Sequence, residues 1–341
     1  SSPVVIVAGG GVSSSGAEAV LAEFANKYSI PVVTTLMGVT HTAHCGDMLM
    51  GMLGTHGVYA ANYAIKNSDL PIVIGARLSD RAYNTFNATL SDATVVHVDV
   101  DPAEIGKNLS AHLPVVGDAK TVIEQIMDKI SKHNIKPFTE WYETVKELKS
   151  KPKSYKKADD YINPKYALNL LSSMAPKDAI ITTEVGQHQI WAANNYKLTK
   201  ENIFLTSGGL GTMGYGLPAA IGAKAAAPGR TVIALEGDGS FQMSLPELAT
   251  IVQWELPVKI IVFKNKRLGM VRELQKNKYK ANYFSVFLDG SPDFVKLAQA
   301  YGIEAHSISS NDMLEDSFKK LLSDDKPYLL EITVNSEEST L

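Results

Sequence analysis

The segment that decides the fold is Thr231–Asn265, TVIALEGDGSFQMSLPELATIVQWELPVKIIVFKN. Two apolar runs within it, Val232–Glu236 and Val258–Lys264, are typical of buried strands, and Pro246–Trp254 between them has the pattern of a helix. A strand, a helix and a second strand in this order predict a β-α-β unit in which the two strands are parallel.

Polar residues follow both strands of this unit. Gly237-Asp238-Gly239-Ser240 follows the first strand, and Asn265 follows the second, 27 residues beyond Asp238. Because the carboxyl ends of parallel strands lie at one edge of a sheet, we expect both side chains at a ligand-binding edge. A carboxylate and a carboxamide oxygen suit Mg²⁺, and Gly237 and Gly239 let a diphosphate approach the backbone. The pattern therefore predicts a site for Mg²⁺ and a diphosphate.

The same alternation of short apolar runs and amphipathic stretches continues over the rest of the chain. Further strands are predicted at Val4–Ala8, Pro31–Thr35, Leu70–Gly75, Thr94–Val100 and Ala179–Thr183. Further helices are predicted at Ala17–Tyr28, Tyr166–Met174, Pro218–Ala227 and Asp293–Tyr301. This order predicts an α/β fold with two doubly wound parallel-sheet domains.

A change in composition marks the boundary between the two domains. Residues 146–160 are rich in lysine, include Pro152 and contain few apolar side chains. We therefore predict a first domain over 1–150, a solvated linker over 151–162 and a second domain over 163–341.

Composition excludes several classes of protein. The 341 residues carry a net charge of −3 and include 45% hydrophobic residues, which is ordinary for a globular protein and gives no basic surface for nucleic acid. Cys45 is the only cysteine, so no internal disulfide can form. The sequence contains no apolar run of about 18 residues, so we predict no membrane-spanning helix. Ser1-Ser2-Pro3 leads directly into a strand rather than a signal peptide, and we expect a cytoplasmic protein.

Two other glycine clusters resemble dinucleotide-binding loops without completing the pattern. Gly9-Gly10-Gly11 follows a strand, but Ser14 stands where the third glycine of the motif belongs, and no acidic residue ends the next strand. Gly209–Gly214 has the glycine spacing of the motif but does not follow a long apolar strand. We therefore expect no NAD site, although the many glycines at 207–216 favour a flat ligand close to the backbone.

Gly-Asp-Gly followed at this distance by Asn is similar to the thiamine-diphosphate (ThDP) binding motif, and longer stretches extend the resemblance. The C-terminal domain of acetolactate synthase (acetohydroxyacid synthase) large subunits is similar in sequence to Glu236–Gln275, Ser207–Ala223 and Val185–His188. The FAD-binding middle domain of that family resembles Thr35–Gly38, Gly51–Gly57, Gly75–Arg81 and Asp99–Lys107. The resemblance covers nearly the whole chain, in the order that the family has.

This resemblance implies a set of residues that bind ThDP and Mg²⁺. Asp238, Asn265 and the backbone carbonyl of Arg267 would hold the metal, and Met213 would bend the cofactor so that its amino group reaches the thiazolium carbon. The implied ThDP contacts are Gly186, Gln187, His188, Gly211, Met213, Gly237, Asp238, Gly239, Ser240, Asn265, Leu268, Gly269 and Met270.

The resemblance also implies a structural, non-redox FAD in the first domain. The implied contacts are Leu36, Met37, Leu53, Gly54, His56, Gly75, Arg77, Asp80, Arg81, Asp99, Ile105 and Asp118.

The implied reaction is decarboxylation of pyruvate and condensation with a second 2-oxo acid, in branched-chain amino acid biosynthesis. The implied assembly is a homodimer or tetramer. Whether a regulatory small subunit binds to it stays an open question. In this family the glutamate that activates the cofactor lies in an N-terminal domain, and a C-terminal tail helps to close the site. We therefore expect no catalytic residue within this chain and no turnover by the chain alone.

Two positions depart from the family pattern. Lys264 precedes Asn265 where the family has a second Asn, which leaves the metal ligand intact. Leu274 stands where the family has a Trp that favours 2-ketobutyrate as acceptor, so we expect a bias toward pyruvate.

Two rival functions stay open at this point. One is a pyruvate oxidase-like enzyme that uses both ThDP and FAD, in which the flavin accepts electrons. The other is a cofactor-binding module without catalysis.

Overall fold

The computed structural model describes residues 3–83, 90, 92–150 and 161–341. The chain divides into two compact units, one over residues 1–153 and the other over 154–340. Most of the predicted linker, residues 151–160, lies outside the described residues. Ile162, the last residue of the predicted linker, forms an isolated bridge with Val334 in the second unit.

The first unit contains six parallel strands in the order β3-β2-β1-β4-β5-β6. This is a doubly wound order, and its switch point, where ligands bind in such sheets, lies between β1 and β4. The strands are β1 Val4–Ala8, β2 Val32–Thr34, β3 Leu49–Met52, β4 Leu70–Ile74, β5 Val96–Asp99 and β6 Leu113–Val116. The helices are α1 Gly10–Ser14, α2 Glu18–Tyr28, α3 Tyr59–Lys66, α4 Asp80–Tyr83, α5 Ala119–Ser131 and α6 Thr139–Lys149. Two 3-10 helices lie at Leu36–Gly38 and His41–Met48.

The second unit has its own six-stranded parallel sheet, in the order β11-β12-β10-β9-β7-β8. The strands are β7 Ile180–Thr183, β8 Ile203–Thr206, β9 Val232–Gly237, β10 Val258–Lys264, β11 Glu304–Ile308 and β12 Tyr328–Thr333. The helices are α7 Pro164–Met174, α8 Gln187–Asn195, α9 Gly216–Ala226, α10 Asp238–Phe241, α11 Glu247–Gln253, α12 Gly269–Lys278, α13 Phe294–Ala300 and α14 Leu314–Leu321. A 3-10 helix lies at Asn311–Met313.

Apolar burial on both faces of each sheet accounts for this layering. Every residue of β1 is buried, and so are the first six residues of β10, because helices cover both faces of a parallel sheet. The sheet of the second unit separates two apolar clusters, one that includes Trp191 and one that includes Phe241 and Phe294. No helix among the described residues is long and apolar enough to cross a membrane.

The α/β class and the parallel sheets predicted from the sequence are confirmed, and each of the seven predicted strands is present. Gly10 begins a short helix directly after Gly9 and strand β1. Among the described residues, five further strands were not predicted. Four of them, β3, β6, β8 and β11, are the outer strands of the sheets, where short runs need not be apolar, and β6 contains Pro114. The fifth, β12, is interrupted by Glu331, which pairs with Lys264 at 2.9 Å.

Candidate functional site

The register of the second sheet brings Asp238 and Asn265 to the same edge. Gly237 pairs with Phe263 between β9 and β10, so Asp238 and Asn265 each follow the carboxyl end of adjacent strands. The backbone N–H of Lys266 donates to Oδ2 of Asp238 at 2.6 Å, which ties the two turns together. The juxtaposition predicted from the spacing of these two residues is therefore present.

Asp238 is a buried carboxylate, with 2% of its surface exposed. Burial raises the pKa of Asp238 to about 6, against the lowering effect of the backbone N–H groups of Lys266 and Gly239 and of the charges on His188 and Lys264. A divalent cation beside this group would favour its ionised form and offset the cost of burial.

The side chain of Asn265 is held by two hydrogen bonds. Its Oδ1 accepts from the backbone N–H of Arg267 at 3.0 Å, and its Nδ2 donates to Oε1 of Gln187 at 3.0 Å. Because Nδ2 is directed at Gln187, the oxygen end of the carboxamide is the end left to ligate a metal.

Gln187 itself is buried, and its amide nitrogen is fully used. Nε2 donates to Oε2 of Glu273 at 3.0 Å and to the carbonyl oxygen of Glu338 at 2.7 Å. An amide nitrogen has only two hydrogens, so this side chain has no donor left for a diphosphate. A contact between Gln187 and a diphosphate would therefore fall to its backbone N–H.

Helices α8 and α12 both begin at this edge, beside Asp238 and Asn265. Helix α8 starts at Gln187 and α12 starts at Gly269, and the backbone N–H groups at the start of a helix have no partner within the helix and favour a bound anion. The turns are also tightly packed. A Cβ on Gly237 would lie 2.8 Å from Nδ1 of His188, and one on Gly269 would lie 2.0 Å from Oε1 of Gln187. Only glycine lets the backbone approach this closely.

A buried acidic pair lies behind the turns and was not predicted. Glu184 and Glu236 are both fully buried, and burial together with the nearby Glu184 raises the pKa of Glu236 well above its ordinary value. Oε1 of Glu184 lies 2.9 Å from Nε2 of His188, and its Oε2 accepts from the backbone N–H of Gly214 at 3.3 Å. No local pattern indicates this pair, because it depends on the register of β7 against β9.

Apolar side chains converge over the Gly-Asp-Gly turn. A Cβ on Gly239 would lie 3.0 Å from Cδ2 of Leu268 and 3.9 Å from Cε of Met213. Gly211 adopts a positive φ of 71°, and a Cβ there would lie 3.8 Å from Val185. The residues predicted for the pyrimidine end of ThDP therefore lie around the residues predicted for its diphosphate end, and Met270 lies in the first turn of α12.

The residues predicted to bind FAD all lie at or after the carboxyl ends of strands in the first sheet. They lie after β2 (Leu36, Met37), β3 (Leu53, Gly54, His56), β4 (Gly75, Arg77, Asp80, Arg81) and β6 (Asp118), and at or after the end of β5 (Asp99, Ile105). This is the edge at which doubly wound sheets bind nucleotides.

Hydrogen bonds to backbone carbonyl groups hold the loops of this first edge together. The N–H of Thr55 donates to the carbonyl oxygen of Arg81 at 2.9 Å, and Nδ2 of Asn108 donates to that of Arg77 at 2.9 Å. At the switch point, a Cβ on Gly9 would lie 2.1 Å from the carbonyl oxygen of Gly75. The side chains of Arg77, Asp80 and Arg81 are exposed, as a charged ligand would require.

The donor set of the second unit fits Mg²⁺ better than a transition metal. Within the part of the chain that the structure describes, no three His, Cys, Asp or Glu side chains are grouped to hold a metal. The predicted ligands are one carboxylate, one carboxamide and one backbone carbonyl, and Mg²⁺ typically takes few protein ligands, with phosphate oxygens and water for the rest.

Comparison with protein families agrees with the division into two units. The central domain of thiamine pyrophosphate enzymes matches residues 1–126, and the C-terminal TPP-binding domain of these enzymes matches residues 184–332. The chain belongs to the thiamine pyrophosphate enzyme family.

Individual relatives within this family are acetolactate synthases. The chain is 43% identical over 343 residues to a probable acetolactate synthase large subunit of Methanocaldococcus jannaschii, an alignment that covers 98% of this chain and 58% of the relative. It is 38% identical over 336 residues to the acetolactate synthase isozyme 2 large subunit of Escherichia coli, and that alignment covers 98% of this chain and 60% of the relative. It is 39% identical over 348 residues to acetolactate synthase 1, chloroplastic, of Zea mays, and that alignment covers 99% of this chain and 54% of the relative. The chain thus spans a little over half the length of the curated relatives it matches.

Proposed function

We propose that this chain is the part of an acetolactate synthase large subunit that holds Mg²⁺, the diphosphate of ThDP and FAD. The observation that carries the proposal is the convergence of Asp238, Asn265 and the start of helix α8 at one edge of the second sheet. The acetolactate synthase names of the relatives above support this assignment over the pyruvate oxidase-like alternative.

The reaction proposed for the protein that contains this chain joins pyruvate to a second 2-oxo acid, with loss of CO₂. ThDP, when bound, supplies a carbon nucleophile and stabilises the carbanion that decarboxylation leaves. The residues of this chain would bind the metal and the cofactor and position them. Asp238, Asn265 and the Arg267 carbonyl would hold Mg²⁺ against the diphosphate, and the backbone N–H groups of Gly186 and Gln187 would bind its oxygens.

Met213 and Leu268 would exclude water from the other end of the cofactor and fix its bend. Their side chains approach Gly239 from two different loops. Their proximity therefore depends on the fold and not on the local sequence. This arrangement positions a cofactor, as expected when the cofactor carries the chemistry.

Several features of the whole protein belong to the same proposal. We propose a homodimer or tetramer in the cytoplasm that serves branched-chain amino acid biosynthesis, with a regulatory small subunit as a partner. The relatives from M. jannaschii and E. coli, named large subunits, support that last partner. FAD at the first sheet edge, the domain bounds at 150 and 163 and the absence of turnover by the chain alone stay predictions.

The metal ligand Asp238 gives the direct test. Asp238→Ala removes the one carboxylate among the predicted metal ligands, so calorimetric titration should show loss of Mg²⁺-dependent ThDP binding. Asp312→Ala, which removes an exposed carboxylate in the same unit, is the matched control and should bind as the parent does. Equal ThDP affinities of Asp238→Ala and the parent would refute the assignment.

A further inference from the structure

A chain of side-chain hydrogen bonds connects the predicted metal ligand Asn265 to the end of the chain. Asn265 donates to Gln187, Gln187 donates to Glu273, and Glu273 accepts from the hydroxyl of Thr340. We call this set of four residues the amide relay. The whole relay lies within the second unit.

Glu273 and the backbone carbonyl of Glu338 together fix the orientation of the Gln187 amide, and through it the direction of the hydrogen bond to Asn265. The Glu273 carboxylate and the Glu338 carbonyl can only accept, so the amide of Gln187 must turn its nitrogen toward them. Oε1 of Gln187 then faces Asn265, and Asn265 must present Nδ2 to it. The oxygen of Asn265 is thereby directed away from Gln187, and it accepts from the backbone N–H of Arg267.

Glu273 also holds the last residues of the described chain. The N–H of Thr340 donates to Oε2 of Glu273 at 3.1 Å, and its hydroxyl donates to Oε1 at 2.9 Å. Nearby, Nε1 of Trp191 donates to the carbonyl oxygen of Ser339 at 2.8 Å, and Glu337 forms an ion pair with Arg272. Residues 337–340 are therefore docked against helices α8 and α12, both of which begin at the site.

From this geometry we propose that Gln187 and Glu273 are positioning residues, which orient the carboxamide of Asn265 for Mg²⁺ and couple it to docking of residues 337–340. Groups that orient metal ligands typically change metal affinity by about 10–100-fold when removed. The proposal rests on the proposed function only where it invokes Mg²⁺ and ThDP. The hydrogen bonds of the amide relay do not depend on the proposed function.

The test compares Glu273→Ala, Glu273→Gln and the control Asp312→Ala in the full chain. Two readouts are measured: amide hydrogen exchange at Thr340 and Arg267, and the Mg²⁺ concentration that half-saturates ThDP binding in calorimetry. Glu273→Ala should speed exchange at both amides, because Arg267 donates to Asn265 at the far end of the relay. It should also raise the Mg²⁺ requirement by about tenfold or more.

Glu273→Gln keeps an acceptor for Gln187 and should restore both readouts to within about threefold of the parent, and Asp312→Ala should match the parent. Faster exchange at Thr340 alone, with Arg267 and the Mg²⁺ requirement unchanged, would overturn the relay and leave a merely structural role. If the parent binds no ThDP at any Mg²⁺ concentration, the proposed function fails. Exchange at Arg267 then decides the relay, because an unchanged rate in Glu273→Ala overturns it.

Discussion

Gly269→Ala is expected to destabilise the second unit, because the added methyl group has no room. A Cβ at this position would lie 2.0 Å from Oε1 and 2.6 Å from Cδ of Gln187, and 2.9 Å from Nδ2 of Asn265. Real Cβ atoms essentially never approach other atoms within 3.0 Å, so the carboxamide of Gln187 must move by about 1 Å or more.

The hydrogen bonds of Gln187 set the size of the effect. A neutral hydrogen bond contributes about 0.5–1.5 kcal/mol and one to a charged group about 1.5–3 kcal/mol. Loss of the Asn265 bond alone should therefore lower the free energy of unfolding by about 1 kcal/mol. Loss of all three, including the bond to Glu273, should lower it by at most about 6 kcal/mol.

Gly222→Ala is the matched control, because it makes the same chemical change where there is space. Gly222 lies inside helix α9, and a Cβ there would meet nothing within 4 Å. Alanine in a helix interior is more stable than glycine by about 0.5–1 kcal/mol, so this variant should gain stability.

Denaturant unfolding, followed by hydrogen exchange in strands β9 and β10, measures both variants in the unit concerned. We expect the two free energies of unfolding to change in opposite directions. If Gly269→Ala is as stable as Gly222→Ala, Gln187 does not occupy the position described here, and the amide relay loses its central member.

The remaining predictions concern the thiol, the first unit and the acceptor. Burial raises the pKa of Cys45 to about 12, so alkylation of the native chain at pH 8 should be far slower than after unfolding; equal rates would contradict this. Because that pKa lies above the ordinary 9.0, this thiol's contribution to stability should be lost as pH rises from about 9 toward 12, which denaturant unfolding at several pH values would measure. Arg77→Ala should weaken FAD binding several-fold by fluorescence titration, whereas Lys66→Ala, an exposed cation that precedes β4, should not. In the enzyme that contains this chain, Leu274→Trp should shift acceptor competition toward 2-ketobutyrate by about 1–3 kcal/mol, and no shift would show that residue 274 does not line the acceptor site.

Much of the fold was predictable because local sequence encodes it. The buried strands β1, β9 and β10 are runs of apolar residues, and the placement of Asp238 and Asn265 follows from their being parallel neighbours. The outer strands were missed because their burial is incomplete: β6 is mostly exposed and includes a proline. An edge strand needs only one partner, so its sequence carries less of the pattern that identifies an interior strand.

The side-chain network of the site could not be predicted in the same way. The bonds of Gln187 reach residues 78, 86 and 151 positions away in the sequence. No periodicity connects positions that far apart, since their proximity depends on strand order and register. The buried pair Glu184 and Glu236 has the same origin, because β7 and β9 are neighbours only after the chain has crossed between them.

Gln187 shows how far resemblance to a family extends to single atoms. The resemblance predicts that this residue contacts the diphosphate, and the structure places it at the start of α8, where such a contact is available to its backbone N–H. Its side chain is committed elsewhere, because both amide hydrogens are donated to acceptors that have no hydrogen to offer in return. Replacing this side chain should therefore disturb Asn265 and the docking of residues 337–340, while the backbone donor for the diphosphate is retained. A family motif assigns a position in the site, and the hydrogen-bond partners of each atom determine what that position does.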